Sequence, residues 1–204
     1  MKTNTIITIG RQFGSAGREI GYQIADYFGI KLYDKEMLSR AAKESGICEE
    51  IFETHDEKPT NSLLYALAMG NSYANRPPLN HTIFMAQFET IKKIAQNGPC
   101  VIVGRCADYS LRHMKNMVSV FVHASMEYRM ERAINQYHVP EKQAKGVLAR
   151  TDKQRASYYN FYTDQNWSDV RNYDLALDSS KIGVEGAVDV ILEYAAIKQK
   201  LLAK

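Results

Sequence analysis

Short apolar runs alternate along the chain with longer stretches in which apolar residues recur every three or four positions. The β-branched run Thr5 to Ile9 predicts a buried strand. Ile20, Ile24, Ala25 and Phe28 then recur at helical spacing, and Gly29 stands where a left-handed cap would end that helix. Lys31 to Asp34 predicts a short second strand, followed by a helix over Lys35 to Ser45. Ile83, Phe84, Gln87, Phe88, Ile91 and Ile94 mark a long helix from His81 to Gln96, closed by Gly98-Pro99. Cys100 to Val103 and Val118 to Val122 are uninterrupted apolar runs too short for helices, which fits strands buried on both faces. A helix with Met126, Arg129, Met130 and Ala133 on one face follows, then a fifth strand at Leu175 to Leu177 and a terminal helix from Val184 to Ala195.

Strands alternating with helices, rather than with tight turns, imply parallel pairing, right-handed crossovers and helices on both sheet faces. No internal repeat interrupts the pattern, so the expectation is a single domain over residues 1–204. Two stretches stand apart. Residues 48–97 begin with an acidic, weakly patterned segment bounded by Pro59 and Pro77-Pro78, expected to form a helical region over a cleft. Residues 140–169 are polar and basic, expected to act as a lid.

The composition changes this picture little. Of 204 residues, 45% are hydrophobic and 24% charged, as in an ordinary globular chain, and the net charge of +3 is too small and dispersed to imply nucleic acid or a membrane surface as partner. Cys48, Cys100 and Cys106 lack paired or metal-ligand spacing, so neither a disulfide framework nor a zinc site is expected. The N-terminus lacks the layout of an export signal, which makes the cytoplasm the expected compartment. Oligomeric state is left open.

The chemistry begins where the first strand ends. Gly10, Gly14 and Gly17 mark a glycine-rich turn that opens into a helix at Arg18-Glu19-Ile20. Such a turn lets backbone amides converge on anionic oxygens while the helix N-terminus adds its partial positive charge, and Arg18 is the candidate cation for the outer phosphates. Against the pattern G-x-x-x-x-G-K-[ST], Gln12 takes the first glycine position, Arg18 the lysine and Glu19 the hydroxyl. Taken alone, the stretch also fits a tight turn with no ligand. The other strand ends decide for the phosphate reading, because Asp34, Arg105 with Asp108, and Ser179 with Ser180 fall on the same sheet edge, where doubly wound folds bind ligands. Asp34 equally suits the cap of the next helix. In the lid, Arg150 and Arg155 are five residues apart and diverge by about 140° around a helix, so they suit different phosphates.

These residues together resemble the cytidylate-kinase-like family, in its divergent bacterial branch whose loop reads like ISRxFGSGGREIG. The resemblance runs through Ile9 to Gly21, Leu32 to Glu36, Val101 to Asp108, Phe121 to Arg132, Asp152 to Tyr159 and Tyr173 to Ser180. It implies a P-loop NTPase-type three-layer α/β/α fold with a five-stranded parallel sheet, ATP and Mg²⁺ as cofactors, and transfer of phosphate to a nucleoside monophosphate, CMP or dCMP foremost. Carried over residue by residue, Phe13, Gly14, Ser15, Ala16, Gly17, Arg18 and Glu19, with Ser179, would bind the donor. Arg105, Asp108, Asp34, Asp152 and Arg155 would bind the acceptor, Glu19 and Asp34 the metal, and Arg18, Asp34, Arg150 and Arg155 would act in catalysis. Cys106 stands where the family's G-R-D element has its aspartate. A kinase of another small acceptor, and a nucleotide-binding regulatory protein with weak catalysis, remain open alternatives.

Overall fold

The computed structural model describes residues 3–34 and 79–203. The expected helix over 35–45, the acidic segment from residue 48 to 78 and Cys48 lie outside the described residues. Five strands form one sheet: β1 (Ile6–Arg11), β2 (Lys31–Tyr33), β3 (Cys100–Val103), β4 (Met117–His123) and β5 (Leu175–Asp178). They run parallel in the order β2-β3-β1-β4-β5. The helices are α1 (Gly17–Phe28), α2 (Leu79–Gln96), α3 (Ala107–Ser110), α4 (Met126–Asn135), α5 (Glu141–Thr163) and α6 (Ser179–Leu202).

Both faces of the central strands are covered, which is why their sequences show no polar alternation. Ile7 and Ile9 of β1, with Val101, Val103, Val118, Val120 and Val122, pack under Ile20 and Ile24 of α1 and Ala187 and Ile191 of α6. Ile6 and Ile102 point the other way, against Ile91 of α2 and Leu111 just past α3. Further along that second face, Phe121 meets the aromatic cluster of Tyr158 and Tyr159 on α5 with Trp167 and Tyr173. Cys100 and Cys106 are buried within these layers, and burial pushes the Cys100 thiol up to about 12, so Cys100 serves packing rather than reactivity.

Punctuation follows the expected residues. Gly29 caps α1 in a left-handed conformation and donates to the carbonyls of Ala25 and Asp26. Gly183, at φ +70°, breaks the first turn of α6 from the rest, so the long helix starts at Val184 as its periodicity requires. The connection leaving β1 goes to β2 on one side, and that leaving β4 goes to β5 on the other. A crevice therefore opens between the carboxyl ends of β1 and β4.

Candidate functional site

The turn after β1 sits in that crevice and is pinned from beneath. The Ser15 hydroxyl is fully buried, 2.9 Å from the Gln12 carbonyl and 3.0 Å from that of Val122. Ser179, also fully buried, donates its hydroxyl toward the carbonyls of Ser15 (2.8 Å) and His123 (3.1 Å). From outside, Arg129 of α4 donates Nε–H to the Phe13 carbonyl at 2.8 Å and Nη2–H to Asp152 at 2.5 Å, while the other Asp152 oxygen accepts the Phe13 amide at 2.7 Å. Four elements, β4, α4, α5 and α6, thus hold the turn.

The backbone of the turn has little freedom left. Gly14 is at φ +80°, and a Cβ there would stand 2.7 Å from the Arg129 carbonyl oxygen, so only glycine lets the turn approach α4 this closely. Ala16 is also left-handed, at φ 62°, and makes no side-chain cap to α1. The first-turn amides of α1 therefore face the crevice without an internal acceptor. Left-handed geometry costs a non-glycine residue about 1–2 kcal/mol, partly offset by the greater unfolded-state entropy of glycine. Ala16→Gly is accordingly expected to raise stability by about 0.5–1 kcal/mol, read as an increase in the thermal unfolding midpoint. An unchanged or lower midpoint would mean that Ala16 carries no strain.

The charged groups around the turn fall into pairs. Arg18 Nη2 donates to Asp34 at 2.6 Å, and the Tyr22 hydroxyl lies 3.4 Å from the guanidinium and 3.3 Å from the same carboxylate oxygen. Tyr22 and Asp34 together raise the Arg18 pKa, and Asp34 is almost buried while Arg18 is half exposed. Glu19 accepts from Arg132 of α4 at 2.5 Å, on the outer side of the turn. Arg155 donates to the Arg11 carbonyl at 3.1 Å, with its guanidinium 5.8 Å from the Phe13 ring centre. Arg18, Asp34, Arg155 and Tyr137 line a cleft over the turn.

A second pocket opens beside it, lined by Arg105, Asp108, Arg155, Tyr158 and Tyr159. Gly104, Arg105 and Cys106 are consecutively left-handed, at φ +81°, 61° and 53°, and this twist carries the Arg105 side chain inward, where it is 5% exposed. Burial lowers the Arg105 pKa to about 10, which still leaves it charged at neutral pH. Asp108 accepts from the Tyr159 hydroxyl at 2.7 Å, and burial pushes its carboxyl up to about 6.

The Asp108 shift has a definite sign. Its folded pKa lies above the ordinary 3.8, so the folded state binds the proton more tightly, and the stability this confers is complete below pH 4 and lost as pH rises through 6. Asp108→Asn is therefore expected to stabilise the protein at pH 8 by about 2–3 kcal/mol and to give no gain at pH 4, in thermal unfolding at the two pH values. An equal effect at both would remove Asp108 from the titration.

The structure brings together Phe13, Gly14, Ala16, Gly17 and Arg18 with Asp34 and Arg155 around the cleft, and Arg105, Asp108 and Arg155 around the pocket, while Ser15 is buried beneath the turn. It does not bring in Arg150, which is exposed on α5 and lines neither cavity, because the helical angle between it and Arg155 turns one away when the other faces in. Asp152 lies under the turn, occupied by Arg129 and the Phe13 amide, rather than in the pocket. Ser179 supports the turn through the Ser15 carbonyl and presents no hydroxyl to the cleft. Glu19 faces Arg132 rather than Asp34, so the two carboxylates expected at one metal are apart in their pairings. Among the described residues no group of three or more His, Cys, Asp or Glu gathers at metal-binding distance.

Arg129, Arg132 and Tyr159 are site residues that reasoning from the sequence did not single out. A signal for Arg129 was present: an arginine on the otherwise apolar packing face of α4 needs a buried partner, and Asp152 supplies it.

A glycine turn between the first strand and first helix of a 2-3-1-4-5 parallel sheet, flanked by arginines at the crevice, defines a P-loop kinase fold. Solved structures agree: a gluconokinase of Sinorhizobium meliloti superposes with a TM-score of 0.53 at 14% identity, covering all of this chain and 98% of its own. An uncharacterised protein of Eubacterium ventriosum superposes with a TM-score of 0.74 at 30% identity, covering 94% and 98%. A cytidylate kinase of Pyrococcus horikoshii is 25% identical over 193 residues, 93% of this chain and 88% of that one. The model of the cytidylate kinase-like family matches residues 6–181, and the chain belongs to that family. By class it is a nucleotide kinase, a phosphotransferase. Among the described residues no helix is long and apolar enough to cross a membrane.

Proposed function

We propose that the protein transfers the γ-phosphoryl group of ATP to a nucleoside monophosphate, with CMP or dCMP the preferred acceptor. The observation that carries this reading is the meeting of two basic cavities at one lid residue: Arg155 lines both the cleft over the glycine turn and the pocket holding Arg105. In phosphoryl transfer the protein supplies mainly position and neutralising charge, so two anionic substrates brought end to end under a shared cation is the arrangement required.

The roles follow from the geometry. The α1 first-turn amides and Arg18 hold the donor phosphates; Arg18 exchanges Asp34 for phosphate oxygens when ATP enters. Arg105, rigidly placed by its twisted backbone, takes the acceptor phosphate. Arg155 spans the junction, and α5 acts as the lid that excludes water there. Mg²⁺ is held largely by substrate oxygens and water with one or two carboxylates. Asp34, on the cleft wall, fits that demand; Glu19, already neutralised by Arg132 on the outer side, does not. Bound through Asp34 and the phosphates, the ion would supply further neutralisation of the donor. The Glu19–Arg132 pair has its own consequence: a carboxylate next to the turn is cancelled before it can repel triphosphate.

A coupled assay of ADP release across CMP, dCMP, UMP, AMP and GMP tests the reading. CMP and dCMP are expected to turn over fastest. ATP binding without turnover on any of them would overturn the reading in favour of a regulatory nucleotide-binding protein.

A further inference from the structure

Arg11 closes β1, and its side chain runs across the site instead of away from it. Its stem occupies the space a side chain on Gly17 would need: a Cβ there would stand 2.6 Å from Arg11 Cβ and 3.1 Å from Cγ. Its guanidinium continues to Gly104, where a Cβ would collide with Nη1 and lie 3.0 Å from Cζ. Gly17 begins the donor-side helix and Gly104 adjoins Arg105, so the side chain crosses from one substrate side to the other. Two positions lack a Cβ where this one side chain passes, a channel that a solvated surface arginine does not need. Arg11 lines both the cleft and the pocket, and its own carbonyl accepts the hydrogen bond from Arg155, the other arginine lining both.

We propose that Arg11 is a catalytic residue whose guanidinium contacts both the phosphoryl group in transfer and the acceptor's own phosphate. This rests on the phosphoryl-transfer reading above. An acceptor phosphate oxygen forms the new bond to the γ-phosphorus as the bond to the β–γ bridging oxygen breaks, and ADP departs with that electron pair. Arg11 exchanges no proton in this step. Its fork spans oxygens of two neighbouring phosphates, which crowd negative charge at the seam only when donor and acceptor are both present. A neutral alcohol would bring no second phosphate there.

The test compares binding of ATP with binding of a dinucleoside pentaphosphate joining adenosine to cytidine, by calorimetry, in wild type, Arg11→Met and Arg11→Lys. Methionine keeps the stem that fills the channel and removes the charge. Arg11→Met is expected to weaken the pentaphosphate about 100-fold and ATP no more than about tenfold, because the guanidinium meets two phosphates of the first ligand and only the γ-phosphate of the second. Arg11→Lys, a point charge without the fork, is expected to weaken the pentaphosphate about tenfold, and it carries the comparison should the methionine variant not fold. Equal weakening of both ligands, or wild-type affinity for both in either variant, would overturn the proposal. A wild-type protein that binds the pentaphosphate no more tightly than ATP would instead overturn the acceptor reading itself, and this inference with it.

Discussion

Arg129→Met is expected to destabilise the protein by about 3 kcal/mol and to lower kcat/KM for ATP at least tenfold, although Arg129 lines neither cavity. The side chain is nearly buried, and its partner Asp152 is mostly so. Removing the cation leaves a carboxylate whose remaining partner is a single backbone amide, and it removes the donor to the Phe13 carbonyl. For a chain of this size the loss corresponds to a fall of about 6–12 °C in the unfolding midpoint. The functional effect follows from the turn: Phe13 and Gly14 are held against α4 by this clamp, so releasing it lets the amides proposed to bind the donor phosphates wander. Asp152→Asn should produce a smaller version of both effects. The double variant should cost clearly less than the sum, since the two groups serve one clamp. Strict additivity would show that Arg129 and Asp152 act separately.

Arg18→Met is expected to weaken ATP binding about 30- to 150-fold, the effect of losing a charged hydrogen bond of about 2–3 kcal/mol. Two consequences separate this from a general loss of structure. Arg18 is half exposed, so the fold should survive; and Arg18→Lys should retain more affinity than methionine, because charge is kept while the planar fork is lost. Calorimetric titration with ATP measures the affinity of both variants. Wild-type affinity in Arg18→Met would place the donor phosphates elsewhere.

Much of this site was legible in the sequence because strands and glycines carry local signals. The β-branched run, the two uninterrupted apolar runs and Gly29 placed β1, β3, β4 and the end of α1. The alternation of elements then forced Asp34, Arg105 and Ser179 to one edge. What was not legible is how charges pair across the chain. Nothing local to Glu19 reveals that Arg132, over a hundred residues away, neutralises it, or that Asp152 ties down the Phe13 amide. Ser179 was placed correctly at the edge but serves the Ser15 carbonyl, because the chain behind a turn needs its polar groups satisfied as much as the ligand side does. Arg11 escaped notice for a related reason: its importance is written in the missing side chains of Gly17 and Gly104, which only the packed structure brings beside it.

The central claim is that a turn with arginine and glutamate in place of lysine and hydroxyl still supports phosphoryl transfer. It is tested most directly by following label from γ-³²P-ATP in the presence of Mg²⁺ and CMP. The account predicts that label appears in CDP, at a rate that Arg18→Met sharply reduces. Label found only in ATP and inorganic phosphate, with no labelled diphosphate from any nucleoside monophosphate, would contradict it.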